Sequence, residues 1–151
     1  HPAENPTRLT CHDWITTDLT PWNQSQVRSA MNGAGNTGFW NVDVVAAGDY
    51  EIELRRWPRE LNEKITANIP PGADVPGVQA FRARPGKSIP AVKAELEIGG
   101  KTLEFSPVKP GMESVVFALP LKAGRTRLSA RFITADGTVY GAYYAYVKKT
   151  E

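Results

Sequence analysis

Hydrophobic and polar residues alternate with period two along most of the chain, and Gly, Pro, Asn or Asp bounds each alternating segment. Successive side chains of an extended strand point to opposite faces, so this pattern predicts half-buried β-strands. The first two such segments have the following apolar positions: Trp40, Val42, Val44, Tyr50, Ile52 and Leu54. Between them, residues 46–49 resemble a turn, which predicts that the two strands pair as an antiparallel hairpin.

The same alternation continues through the second half of the chain. Further strands are predicted at 92–98, 103–105, 115–119, 128–132 and about 140–147, with turns at Gly99-Gly100, Ala123-Gly124 and Asp136-Gly137. Seven or eight short strands at regular spacing favour an all-β fold, an antiparallel two-sheet β-sandwich of jelly-roll type. We expect one such domain to occupy residues 1–151.

Two stretches interrupt the strand pattern. Residues 23–31 place Val27, Ala30 and Met31 at helical spacing behind a polar residue that suits an N-cap, which predicts one short helix. Residues 68–90 contain five prolines and little alternation, so they predict a long connection between the two halves of the sandwich.

Composition narrows the classes of function. A chain of 151 residues with 41% hydrophobic content can bury one core, and its formal charge of +2 is spread without a basic block. We therefore expect no nucleic-acid partner. The sequence has no apolar run of about 18 residues, so a membrane partner is not expected either. Because the chain starts without methionine and without a signal peptide, we interpret it as an excised fragment or a processed product, whose targeting signal would lie outside this sequence.

The sequence offers little material for catalysis. His1 and His12 are the only histidines and Cys11 is the only cysteine, so a catalytic triad or a multi-thiolate metal site is not expected. The adjacent Cys11-His12-Asp13 would point to opposite faces of an extended strand, which favours a buried Cys11 beside a hydrogen-bonded His12. Glu51 and Glu53 share an outward strand face and are expected to be solvated rather than to act as an acid/base pair.

A set of aromatic, amide and guanidinium side chains is the best candidate for a binding surface. An indole stacks on the apolar face of a sugar ring, and amides and arginines bind its hydroxyl, carboxylate or sulfate groups. The candidate carbohydrate-binding residues are Trp14, Trp22, Asn23, Gln24, Arg55, Arg56 and Trp57. The same residues also fit a purely structural role, because tryptophans often anchor loops and arginines at strand ends are often packed clamps. Trp40, on an apolar strand face, is expected to be a core residue.

Segment 38–60, with the sequence GFWNVDVVAAGDYEIELRRWPRE, resembles the C-terminal accessory domain of bacterial arylsulfatase-type sulfatases. The resemblance extends to 12–14, 21–24 and 141–147, and Leu-Arg-Arg-Trp-Pro-x-Glu is its most specific part. It implies an N-terminal sulfatase catalytic domain in cis, a formylglycine nucleophile and calcium in that domain, and a periplasmic or secreted location. The sulfatase signature Cys-x-Pro-x-Arg does not occur at Cys11, so the resemblance assigns no catalytic residue to this chain.

Two functions remain open at this stage. The first is a non-catalytic module that binds or positions a sulfated or acidic polysaccharide for the parent enzyme. The second is a structural domain that packs on the catalytic domain and binds no ligand. We predict no cofactor and assign no metal ligand, although a structural calcium ion near Asp43 and Asp49 is compatible with the sequence.

Overall fold

The computed structural model of the chain describes residues 1, 3–17, 24–30, 37–73 and 83–150. Within these ranges it contains nine strands, one short α-helix and two 3-10 turns. The strands are β1 (Thr7–Thr10), β2 (Phe39–Val44), β3 (Gly48–Arg55), β4 (Ala91–Ile98), β5 (Lys101–Phe105), β6 (Val115–Leu121), β7 (Gly124–Thr134), β8 (Val139–Gly141) and β9 (Tyr144–Lys149). The helix is α1 (Gln24–Arg28), and the 3-10 turns span Cys11–Asp13 and Arg59–Leu61.

The strands form two antiparallel sheets. One sheet has the order β1-β9-β3-β6, and the other has the order β2-β7-β4-β5 with β8 beside β7. Buried residues of both sheets belong to one hydrophobic core. The structure therefore confirms the predicted antiparallel β-sandwich. The described part of the chain contains no helix that is long and apolar enough to cross a membrane.

The predicted alternation accounts for the core. Ile52 and Leu54 of β3 are fully buried, and so are Leu128, Ala130 and Phe132 of β7 in the opposite sheet. Trp40 is 2% exposed, which confirms the core position predicted for it. Burying such side chains contributes about 1.5–3 kcal/mol each, so this interior is the main source of stability.

The predicted hairpin of β2 and β3 is wrong. β2 pairs with β7, whereas β3 pairs with β6 and β9 in the other sheet. The connection at residues 45–47 crosses from one sheet to the other. Alternation shows which face of a strand is buried but not which strand lies beside it. β2 and β3 belong to different sheets, and both bury their apolar face in the core between the sheets. The β4–β5 hairpin at Gly99-Gly100, in contrast, is confirmed.

Other strand predictions need smaller corrections. The predicted strand at 140–147 is two strands, because β8 lies in one sheet and β9 in the other. Residues 11–13 form a 3-10 turn rather than extended chain, and β1 precedes it without having been predicted. Val92 is 38% exposed, since a bulge between Ala91 and Lys93 shifts the register there.

Helix α1 lies inside the predicted segment 23–31 but is shorter, and its Val27 is fully buried. Met31 lies outside the described residues. The long connection 68–90 is described at 68–73 and 83–90, where it contains no strand or helix.

The two ends of the sandwich differ. The turn end carries the short connections 45–47, 99–100 and 122–123, which join β2 to β3, β4 to β5 and β6 to β7. The loop end carries the long connections, including the segment after Arg55. The two ends therefore offer different kinds of surface.

Trp14 fills the space beside β8 at the loop end. It is 6% exposed, and its ring centroid lies 5.7 Å from those of Trp40 and Tyr143. Gly141 permits this packing, because a Cβ atom added there would lie 2.1 Å from Cη2 of Trp14. The indole thus requires a glycine at this position.

Replacing this glycine tests the packing of Trp14. Gly141→Ala should lower the free energy of unfolding by about 1–3 kcal/mol, because the added methyl group overpacks a rigid ring. Gly111→Ala is the control, since a Cβ atom there meets nothing within 4 Å. Urea denaturation followed by tryptophan fluorescence measures both variants; equal stability of the two would contradict the packing described for Trp14.

Candidate functional site

The Arg-Arg-Trp-Pro run follows strand β3 into the loop end, and its second arginine is fully buried. Arg56 donates a 3.0 Å hydrogen bond to the carbonyl of Ala67 and another to the carbonyl of Lys87. Its guanidinium lies 4.3 Å from the ring centroid of Trp57. Burial lowers the pKa of Arg56 to about 10, so the group is still charged at neutral pH. A buried charge requires such partners, and Arg56 thereby ties two connecting segments to β3.

Trp57 and Arg28 complete this loop-end packing. Trp57 is 1% exposed, and a Cβ atom on Gly86 would lie 2.8 Å from its Cη2 atom. Arg28, at the end of α1, donates hydrogen bonds of 2.8 and 3.1 Å to the carbonyls of Pro70 and Arg84. Two buried arginines therefore hold the same pair of segments.

Arg55 points to the outer face of its sheet and belongs to an ionic network. Its Nε atom lies 2.6 Å from Oε1 of Glu53, and its Nη2 atom lies 3.5 Å from Oε2 of Glu113. Arg59 also binds Glu53 and stacks on Tyr146, with its guanidinium carbon 4.1 Å from the ring centroid. The Glu53 side chain is only 13% exposed, so the expectation that it is solvated is wrong.

The network changes the titration of Glu53. Burial alone would raise the pKa of this carboxyl group, but hydrogen bonds from Arg55, Arg59 and Ser114 outweigh it and hold the pKa below its usual value. The carboxylate is therefore stabilised in its charged form.

Of the remaining candidates, Gln24 is half-buried and hydrogen-bonds Tyr144, whereas Trp22 and Asn23 lie outside the described residues. The structure does not bring the others together on one exposed surface. Burial of Trp14, Arg56 and Trp57 favours a packing role for these three, because no open indole face remains for a sugar to stack on. Sugar binding by the seven residues stays a prediction.

No catalytic group emerges from the Cys11-His12-Asp13 segment. Cys11 is fully buried, as predicted, and burial raises the pKa of its thiol to about 12. A thiol that stays protonated at neutral pH is a poor nucleophile. His12, in contrast, is exposed.

A structural calcium site near Asp43 and Asp49 is not supported. In the part of the chain that the structure describes, no group of three or more His, Cys, Asp or Glu side chains is placed to hold a metal ion. Calcium takes six to eight oxygen ligands, so two separate carboxylates on opposite sheets do not fit it.

The turn end contains a cleft of about 430 Å³, which we call the basic cleft. It is lined by Val44, Ile98, Gly99, Lys101, Pro120, Leu121, Lys122, Ala123, Gly124, Arg125 and Thr126. Its apolar lining includes the buried side chains of Val44, Ile98 and Leu121. The volume falls in the range of small-molecule binding sites.

Three cations line the basic cleft and no carboxylate does. Lys101, Lys122 and Arg125 are all exposed, and none of them forms an ion pair with any described residue. This contrasts with Arg55, Arg59 and Arg131 elsewhere on the sandwich, which are all paired with glutamates. The positive charge of the cleft is therefore available to an anion.

The backbone around the basic cleft is well defined. Gly99 and Gly100 have φ angles of +59° and +73°, which suit glycine and allow the two-residue turn between β4 and β5. The N–H group of Gly99 donates a 3.2 Å hydrogen bond to Oγ1 of Thr126. This bond fixes the β4–β5 turn against the start of β7.

A smaller cavity of about 210 Å³ lies beside the N-terminal segment. Its charged lining residues include both Glu4 and Lys149, so its charge is balanced. The basic cleft is larger and carries charge of one sign, which makes it the better candidate for a ligand site.

Comparisons with known proteins add little to this geometry. No protein-family model matches the sequence, and no curated protein is similar to it. A family 35 carbohydrate-binding module from Clostridium thermocellum aligns over 96% of this chain and 98% of its own length, at 13% identity and a TM-score of 0.44.

Two enzymes also align with the chain over part of their length. A ruminal GH26 endo-β-1,4-mannanase matches 97% of this chain at 10% identity and a TM-score of 0.46. A cycloalternan-forming enzyme from Listeria monocytogenes matches 96% at 15% identity and a TM-score of 0.49. The chain spans only 26% and 12% of these two proteins. At such values the likeness carries no argument about ligand or activity.

The ionic network around Glu53 predicts a pH-dependent contribution to stability. Because the pKa of Glu53 is lower in the folded state, its contribution is present above the unfolded pKa and is lost as the pH falls through the folded pKa. Glu53→Gln should cost about 2 kcal/mol at pH 7 and much less in strong acid.

Urea denaturation at a series of pH values measures this difference. Glu51→Gln is the matched control, because Glu51 lies on the same strand face with a side chain 47% exposed. A cost for Glu53→Gln that did not shrink on acidification would contradict the role of its charge.

Proposed function

We propose that this chain is a non-catalytic accessory domain that binds an anionic glycan in the basic cleft. One observation carries the proposal: Lys101, Lys122 and Arg125 converge on one cleft, and none of them forms an ion pair with a described residue. Charge-assisted hydrogen bonds from ammonium and guanidinium groups to sulfate or carboxylate groups are the contacts that these side chains make best.

The remaining lining suits a sugar rather than a bare inorganic anion. Exposed Pro120 and Ala123 offer an apolar surface to the C–H groups of a sugar ring, while the exposed backbone at Gly124 offers polar groups to its hydroxyls. A cleft that combines apolar contact with a few placed polar groups is typical of sites that bind small organic ligands.

We further propose that the domain has no activity of its own and serves a sulfatase catalytic domain in the same chain. The resemblance of segment 38–60 supports this parent. The buried, protonated thiol of Cys11 supports the lack of activity in this domain, because it is a poor nucleophile. A periplasmic or secreted location belongs to the same proposal. The gene sequence preceding His1 tests it: a Cys-x-Pro-x-Arg signature there would support the sulfatase, and a different enzyme there would exclude it.

The alternative function is a structural domain that packs on the catalytic domain. It is favoured by an apolar strip on the edge strand β6, where Val116 is 53% exposed and Ala118 and Pro120 are exposed on the same face. Under this alternative, Val116→Lys should lower the stability of the complete enzyme, and the wild-type domain should bind no glycan.

Neutralising the basic cleft tests the proposed binding. The triple variant Lys101→Gln/Lys122→Gln/Arg125→Gln should lose affinity for sulfated oligosaccharides at least about tenfold, because three charge-assisted contacts are removed. The wild-type affinity should also fall with salt, since the contacts are exposed and screened. Isothermal titration calorimetry measures both effects.

A second triple variant controls for net charge. Lys64→Gln/Arg84→Gln/Lys109→Gln removes the same number of exposed cations, all on connections of the loop end, and should keep wild-type affinity. Equal losses of affinity in the two triple variants would show that the binding is non-specific electrostatic attraction. No binding by the wild-type domain would exclude the proposal.

A further inference from the structure

A groove of about 470 Å³ adjoins the basic cleft on the outer face of the β2–β7 pair. Its lining residues are Asn41, Val42, Asp43, Arg125, Thr126 and Arg127. Arg125 and Thr126 line the basic cleft as well. The two depressions therefore share part of their lining, and the side chain of Arg125 borders both.

The second arginine of this groove, Arg127, rests on an aromatic ring. The guanidinium carbon of Arg127 lies 4.5 Å from the ring centroid of Phe39, in a stacking contact. Arg125 and Arg127 are two residues apart on one strand, so their Cα atoms are about 7 Å apart and their side chains share a face. A stacked arginine loses less freedom when it binds an anion, because its plane is already oriented.

Each arginine faces a different partner on β2. Asn41 is opposite Arg127 and Asp43 is opposite Arg125 in the antiparallel register. Side chains at such positions are about 5 Å apart at Cβ, close enough to act on one ligand. Asp43 is exposed and forms no ion pair with a described residue, so its carboxylate remains available as an acceptor.

We infer that the groove and the basic cleft form one binding track and that Asp43 determines its specificity, selecting glycans with widely spaced anionic groups over densely charged polyanions. This inference rests on the proposed function and names the ligand class of the same site. Four cations along the track attract anions: Lys101, Lys122, Arg125 and Arg127.

The selection follows from the chemistry of a carboxylate among cations. An ionised carboxylate only accepts hydrogen bonds, so it binds sugar hydroxyl groups. A polymer with an anionic group at every position must place one near Asp43 and is repelled there. A sparsely charged glycan can place its anionic groups on the arginines and a free hydroxyl on Asp43.

The variant Asp43→Asn tests this assignment with two probes. One is an oligosaccharide of kappa-carrageenan, with a single sulfate per disaccharide, and the other is dextran sulfate of similar length, with several sulfates per disaccharide. Asp43→Asn should raise the affinity for dextran sulfate about threefold to fivefold and lower that for the carrageenan oligosaccharide. The preference of the wild-type domain for the carrageenan oligosaccharide should therefore become smaller or reverse. Calorimetry with both probes measures the ratio.

Asp49→Asn is the control, because Asp49 is also an exposed aspartate but lies on β3, outside the track. It should leave the ratio unchanged. Equal shifts in the two variants, or no shift in Asp43→Asn, would overturn the role of Asp43 while leaving the proposed function intact. Failure of the wild-type domain to bind either probe would overturn both proposals.

Discussion

The buried guanidinium of Arg56 is the constraint on which the loop end of this sandwich depends. A cation that is fully removed from water must find acceptors, and Arg56 finds them in the carbonyls of Ala67 and Lys87, which belong to two separate segments. Arg28 holds neighbouring carbonyls of the same segments. These bonds tie the two connecting segments, in the parts that the structure describes, to the end of β3 and to α1. The distinctive residues at this end, Arg56 and Trp57, are thus buried in contacts within the domain.

The buried and paired arginines and the proposed binding site therefore lie at opposite ends of the sandwich. Arg55, Arg56 and Arg59 are paired or buried, whereas Lys101, Lys122 and Arg125 at the turn end are exposed in or beside short turns. A rigid sandwich with short turns at one end offers a preorganised surface, because little order has to be gained on binding. The proposed glycan site uses that surface and leaves the packed end undisturbed.

Much of the fold could be predicted from the sequence, and the reason is the alternation of Tyr50, Ile52 and Leu54 and of the similar segments. Alternation reports burial of one face, so it predicted strands, core and fold class. It could not report which strands are hydrogen-bonded neighbours, and for that reason the pairing of β2 with β3 was wrong. Burial of Trp14 and Trp57 was equally hidden, since their positions depend on the close approach of Gly141 and Gly86 from distant parts of the chain.

The basic cleft could be predicted only in part. Lys101, Lys122 and Arg125 each flank a glycine-containing turn that the sequence does indicate, but the convergence of two turns at one end depends on sheet order. Similarly, the carbonyl partners of Arg56 lie 11 and 31 residues away, which no local pattern reveals. The sequence therefore indicates the charged side chains and the turns beside them, but not which of them meet in space.

The most direct test of this account is to map ligand binding residue by residue. Two-dimensional ¹⁵N NMR spectra of the domain, recorded during titration with a sulfated oligosaccharide, report which backbone amides sense the ligand. We expect chemical-shift changes at residues 99–101 and 122–127, with residues 55–57 unaffected. Changes centred on Trp14 and on residues 55–57 instead would contradict it and would place binding at the loop end.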